Sequence, residues 1–195
     1  LGDSSPLDGP FTNPAATYSH LYYPLSPSHE YTVKIKGKIA DIHLENNSRI
    51  RKVLDWGNPN ISHLRIMDFR NSTLNELPAE NYGLKNILSF HRVFQNTDLI
   101  EIPEKLFEYT ELATDFSYVF ADIITLLNND NTIETLFNNT PQILNCSYAF
   151  VNDTFASGLG FPFWVVYPSL SGSSVYNCYC GTNLIYLPTE FGCFI

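Results

Sequence analysis

Basic residues are scarce in this chain: eleven Lys and Arg stand against twenty Asp and Glu, and nowhere do they form a run. The formal charge of −9 would repel a nucleic-acid backbone rather than draw it in. Long apolar runs are missing too. The longest, Phe161-Pro162-Phe163-Trp164-Val165-Val166-Tyr167, falls well short of the roughly 20 residues a membrane-spanning helix needs, so it reads as a buried strand or an exposed contact patch. The opening residues show no basic-then-apolar pattern, and Leu1 in place of Met is what a processed or truncated product would show, so the N-terminus neither shows nor excludes export.

Site chemistry is equally thin. The five histidines, His20, His29, His43, His63 and His91, are dispersed, and none has the H-E-x-x-H or H-x-x-E-H spacing that sets two metal ligands on one helix face. Residues 128–132, "NNDNT", are rich in oxygen donors but lack the Gly and terminal Glu of a calcium loop. No G-x-x-x-x-G-K-[ST] or G-x-S-x-G occurs, and Gly158-Leu159-Gly160 is too short to cradle a phosphate. Glu101, Glu104, Glu108 and Glu111 could supply an acid and a base for glycoside chemistry, yet their spacing places them on the solvent side of a repeat. The expectation is therefore no catalytic residue, no cofactor and no metal.

Cysteine is sparse as well. Cys146, Cys178, Cys180 and Cys193 lack the paired spacing of a zinc site. Free, buried or half-buried thiols are the plainer reading, with a disulfide among the last three as the alternative. Asn-x-Ser/Thr sequons occur at Asn46, Asn60, Asn71, Asn138, Asn145 and Asn152. They matter where exported proteins are glycosylated, and they lean toward an extracellular setting.

What the chain does have is apolar material in a regular order. Hydrophobic residues make up 44% of its 195 residues and aromatics 14%, enough for one sizeable domain with a small appendage. Phe69, Phe94, Phe120, Phe150 and Tyr179 follow one another at spacings of 25, 26, 30 and 29. Five residues on come Leu74, Leu99 and Leu184, and then Leu77, Ile102 and Leu187, each followed by proline. "LNELP", "LIEIP" and "LIYLP" are one element written three times. Four residues before the last four anchors stand Phe90, Phe116, Cys146 and Val175, and that spacing predicts a turn of helix; L-x-x-[LI]-P predicts a short strand stopped by proline. A unit of this kind cannot bury its own apolar face, so the units must stack with the aromatics as a spine. Extra length in the third and fourth units, around "LLNNDNTIETLF" and "ASGLGFPFWVVYP", is either a binding-face insertion or repeat decay.

Residues 102–120, "IPEKLFEYTELATDFSYVF", resemble the BspA-like leucine-rich repeats of bacterial surface proteins and of tail or fibre proteins of phages that infect gut bacteria. The stretch from Gly158 onward resembles the closing units of those proteins, with Pro162-Phe163-Trp164 and Cys178-Tyr179-Cys180 in place of the usual Pro-x-x-Trp and Cys-Phe-Tyr-x-x-Cys-like turn. Ala16 to Asn58 resembles what precedes such repeats, the last strands of a PKD-like β-sandwich followed by a cap ending in Trp56-Gly57. Tyr31, Val33 and Ile35 alternate with polar residues as a half-exposed strand does.

These readings predict an α/β chain in three parts. Residues 1–27 form an extended Pro/Ser-rich arm, 28–58 a β-strand cap, and 59–195 a short leucine-rich-repeat-like solenoid of about five units. The resemblance implies a non-catalytic recognition or assembly module, a structural subunit or adhesin of a cell surface, secreted filament or virion. Its partners would be other protein subunits or a host-surface receptor. Phe163, Trp164, Tyr167, Phe194 and Ile195 are the expected contact patch. The alternative is a carbohydrate-binding or carbohydrate-active domain with Trp164 and Tyr167 as sugar platforms.

Overall fold

The aromatic spacing of 25 to 30 residues leaves room between anchors for the crossover that parallel backbone pairing needs, a dozen residues or more. In the computed structural model the chain divides into two compact units, Leu1–Gly37 and Lys38–Ile195. The residues it describes are 32, 39–57, 64–124, 126, 135–138, 140, 142–153 and 177–179. All but Thr32 belong to the second unit, so the arm and the Tyr31–Ile35 strand lie almost wholly outside the described residues.

Within the second unit the backbone climbs in parallel rungs. Strand β1 (Asp41–His43) pairs in parallel with β2 (Ile66–Asp68), in the register Asp41↔Ile66, Ile42↔Met67 and His43↔Asp68. Beyond β2 the pairing continues as single parallel bridges, Ser89↔Asp115 and Asp115↔Asn145. The anchor residues carry the ladder: the amides of Leu44, Phe69, Phe94, Phe120 and Phe150 donate to the carbonyls of Asp68, Val93, Val119, Ala149 and Cys178 at 2.7–3.0 Å. Leu44 is thus a rung before Phe69, one that aligning on aromatics leaves out.

The side chains of the rungs make the core. Phe69, Phe94, Phe120, Phe150 and Tyr179 form one buried column, with successive ring centroids 6.0, 5.6, 5.4 and 5.1 Å apart and near-parallel planes. Leu74, Leu77, Leu99 and Ile102 are buried in the same core. A second aromatic group fills the other side, where Phe90 stacks on Phe116 at 5.3 Å and Phe107 on Phe137 at 5.1 Å. Those last two belong to a further repeated element, "LFEYT" at 106–110 and "LFNNT" at 136–140. In each copy the Thr is fully buried and its hydroxyl donates to the Phe carbonyl three residues back, Thr110 at 2.9 Å and Thr140 at 2.6 Å. Each buried hydroxyl is thereby hydrogen-bonded within its own turn. At the front of the column Trp56 is buried edge-on to Phe69 at 6.1 Å.

Two local expectations differ from what is observed. Residues 90–96, 116–122 and 146–152 are not helical turns but successive tight turns, closed by three-residue bonds such as Val93 N–H to Phe90 C=O and Gln95 N–H to Arg92 C=O. Arg92, Tyr118 and Tyr148 sit between those turns at φ of 61°, 56° and 56°. A left-handed residue every few positions breaks the helical hydrogen-bond run, although the apolar residues at i and i+4 still meet on one side. The segments at Leu74–Pro78 and Leu99–Pro103 are not strands either; among the described residues they hold one isolated bridge, Lys52↔Glu76. Proline, which cannot donate to the next rung, closes each segment within five residues.

Candidate functional site

The outer edge of the rungs is lined by side chains that repeat as regularly as the core. Two residues after each anchor stand Asn46, Asn71, Asn96, Asp122 and Asn152, at φ of 57°, 53°, 51°, 65° and 62°. The left-handed region is costly for most L-residues and tolerated by Asn and Asp, whose short polar side chains bond locally. Here the bonds run between rungs. Asn71 Nδ2 donates to Asn46 Oδ1 at 3.0 Å and Asn96 Nδ2 to Asn71 Oδ1 at 2.9 Å. Asn152 Nδ2 donates to Asp122 Oδ1 at 2.8 Å, and Gln95 Nε2 to Asp122 Oδ2 at 3.2 Å. Sequence reasoning missed this ladder, although the signal was present as an Asn or Asp two residues beyond every anchor from Leu44 to Phe150.

Several sequons are thereby given a structural role. Asn71 and Asn152 use Nδ2 within the ladder, and Asn145 Oδ1 accepts from the amide and hydroxyl of Ser147 at 3.0 and 2.9 Å. Asp115 and Ser89 make the same turn, binding the amides of Ser117 and His91. Side chains of this type steer a local turn by taking the amide two residues on. Asn138 is exposed, and Asn60 lies outside the described residues.

Beside the asparagines runs a second outer file. Tyr118 stacks on Tyr148 with centroids 4.6 Å apart and planes 12° apart, and the Arg92 guanidinium lies 4.9 Å from the Tyr118 centroid. Tyr118 therefore has a cation on one face and a ring on the other, as the rungs on either side supply them. His91 Nδ1 is 2.7 Å from Ser117 Oγ. Desolvation lowers the His91 pKa below its ordinary value against the pull of Asp115, with Arg92 and Arg70 pushing the same way as burial. The shift favours the neutral imidazole over the charged one.

Three possible ligand atoms do converge at the first rungs, where His43, Glu45 and Asp68 lie within 4.8 Å of one another. The cation already there is Arg70: its Nε is 3.0 Å from both Asp68 oxygens and its second nitrogen 2.6 Å from Oδ2. That hydrogen bond is also the main reason the Arg70 pKa is raised. An open cleft of about 470 Å³ is lined by Leu54, Asp55, Gly57, Pro78, Ala79, Glu80 and Tyr82. Of the four glutamates weighed for acid–base work, Glu101, Glu104 and Glu111 are exposed and Glu108 is half-buried.

Phe69, Phe94, Phe120, Phe150 and Tyr179 lie inside the column and not at any surface. Phe163, Trp164, Tyr167, Phe194 and Ile195, expected as a contact patch, lie outside the described residues, as do Cys180 and Cys193. No family model matches this chain, and neither curated proteins nor solved structures give a match.

Proposed function

We propose that the chain is a short leucine-rich-repeat-like solenoid of the BspA type that serves as a non-catalytic protein–protein recognition or assembly module of an extracellular surface, filament or virion. The observation that carries the reading is the outer pair of files, Asn46–Asn71–Asn96 and Arg92–Tyr118–Tyr148, held on a rigid aromatic column. A stack of rungs offers a long lateral surface whose side chains are ordered before a partner arrives, which lowers the entropic cost of binding. Tyrosine, arginine and asparagine are also residue types that protein contact surfaces favour.

The carbohydrate reading needs open aromatic faces on which a sugar ring can lie. Tyr118 does not offer one, because Arg92 and Tyr148 occupy its two faces. Trp164 and Tyr167, the platforms that reading rests on, lie outside the described residues.

Antibodies raised against the purified chain test the proposal on its source material. Labelling of intact particles, filaments or cell surfaces by electron microscopy is the expected outcome, with labelling reduced when the antibody is pre-absorbed on the wild-type chain. Label confined to the cytoplasm of opened cells would overturn it.

A further inference from the structure

At the last described rungs the column beside the aromatic spine changes composition. Two earlier rungs place Phe90 with Val93 and Phe116 with Val119 at the positions four and one before the anchor, all of them buried. In the next rung the same positions hold Cys146 and Ala149, and the rung after that brings in Cys178 immediately before Tyr179. Exchanging Phe for Cys and Val for Ala removes volume from a packed interior, which must be refilled. The buried Cys178 side chain lies there, close enough to Cys146 and to the Ala149 amide for both to shift its acidity. Both cysteines are free and fully buried. Thirty-two residues of chain separate them, yet Phe150 N–H to Cys178 C=O at 2.8 Å and the Phe150–Tyr179 stack at 5.1 Å hold their rungs together.

We propose that Cys146 and Cys178 are a redox pair which closes to a disulfide between consecutive rungs when a low-molecular-weight disulfide is the oxidant. One cysteine, as thiolate, attacks the oxidant and forms a mixed disulfide, releasing one small thiol. The second cysteine then attacks the protein sulfur of that bond and expels the other small thiol. The protein loses two hydrogens and two electrons, and the oxidant leaves as two thiols that carry them. Burial pushes the Cys178 thiol well above its ordinary pKa, with Cys146 and then Asp153 adding to the rise and the Ala149 amide opposing it. In the closed rungs the Cys178 thiol is therefore protonated and both sulfurs are out of reach, and oxidation proceeds during folding or when these rungs open. Once formed, the bond resists reduction for the same reason.

The test equilibrates the purified full chain in mixtures of oxidised and reduced glutathione, quenches it with an alkylating agent and maps the thiols by mass spectrometry after unfolding. The expected product is an intramolecular Cys146–Cys178 cross-link two hydrogens lighter than the dithiol, and a melting temperature about 5–15 °C above that of the reduced chain. A Cys180→Ser/Cys193→Ser variant keeps both results, and Cys146→Ala loses both. Alkylation of Cys146 and Cys178 at every glutathione ratio would overturn the proposal. So would a bond from either residue to Cys180, to Cys193 or to a second chain. The mapping is done on the wild-type chain, so it stands whether or not Cys146→Ala folds.

Discussion

Asn96 donates from Nδ2 to Asn71 Oδ1 at 2.9 Å, across 25 residues of sequence, and both residues hold left-handed backbone. One residue type meets two demands at once: a backbone region that few side chains tolerate, and a side-chain bond to the neighbouring rung.

Replacing Asn96 separates the two demands. Asn96→Gly keeps the backbone and loses only the side-chain bond, for a cost of about 1 kcal/mol. Asn96→Val loses the bond and also forces a β-branched residue to positive φ, for about 2–4 kcal/mol. Urea unfolding of the two variants gives the comparison, and equal losses would remove the backbone argument.

Phe120 lies between Phe94 and Phe150, 5.6 and 5.4 Å from their centroids, with no exposed surface. Phe120→Ala is expected to destabilise by about 3–5 kcal/mol, the range for a buried aromatic. A loss under about 1 kcal/mol on chemical denaturation would mean that the column collapses around the gap or is not the core.

Gly83 packs so closely on Trp56 that a Cβ would overlap the Trp56 carbonyl. The obstacle is backbone and cannot rotate away, so Gly83→Ala should cost about 1–3 kcal/mol, as overpacking does. It should also displace the Trp56 indole from its edge-on contact with Phe69. Differential scanning and a shift in tryptophan fluorescence report the two effects, and an unshifted spectrum with unchanged melting would contradict them.

Asp153 is fully buried, with Oδ1 accepting from the Ile123 amide at 2.8 Å and Oδ2 unpartnered. Burial raises its pKa well above the ordinary carboxylate value; the Ile123 bond opposes the rise and Asp122 adds to it. The folded state thus holds the proton more tightly than the unfolded chain. Stability from this group is fully present below the ordinary carboxylate pKa and is lost as pH rises through the raised folded value. Asp153→Asn keeps an acceptor for Ile123 and has no proton to lose, so it should flatten that decline and stabilise the chain at neutral pH. Thermal unfolding of both proteins from about pH 4 to pH 9 decides it, and parallel curves would count against a buried, protonated Asp153.

The anchor aromatics, the leucines five and eight residues beyond them and the prolines that follow were legible in the sequence, because burial leaves its mark on each residue's own chemistry. Hydrophobic period alone shows which positions turn inward. The turn residues Arg92, Tyr118 and Tyr148 were not legible, since an apolar pair at i and i+4 looks the same whether helix or two tight turns brings it together. The asparagine ladder, the Arg92–Tyr118–Tyr148 file and the meeting of Cys146 with Cys178 were decided only by tertiary structure. Each joins residues 25 or more apart. Such pairs depend on how much chain each crossover takes up, and therefore on which residues stand level when one rung settles on the next.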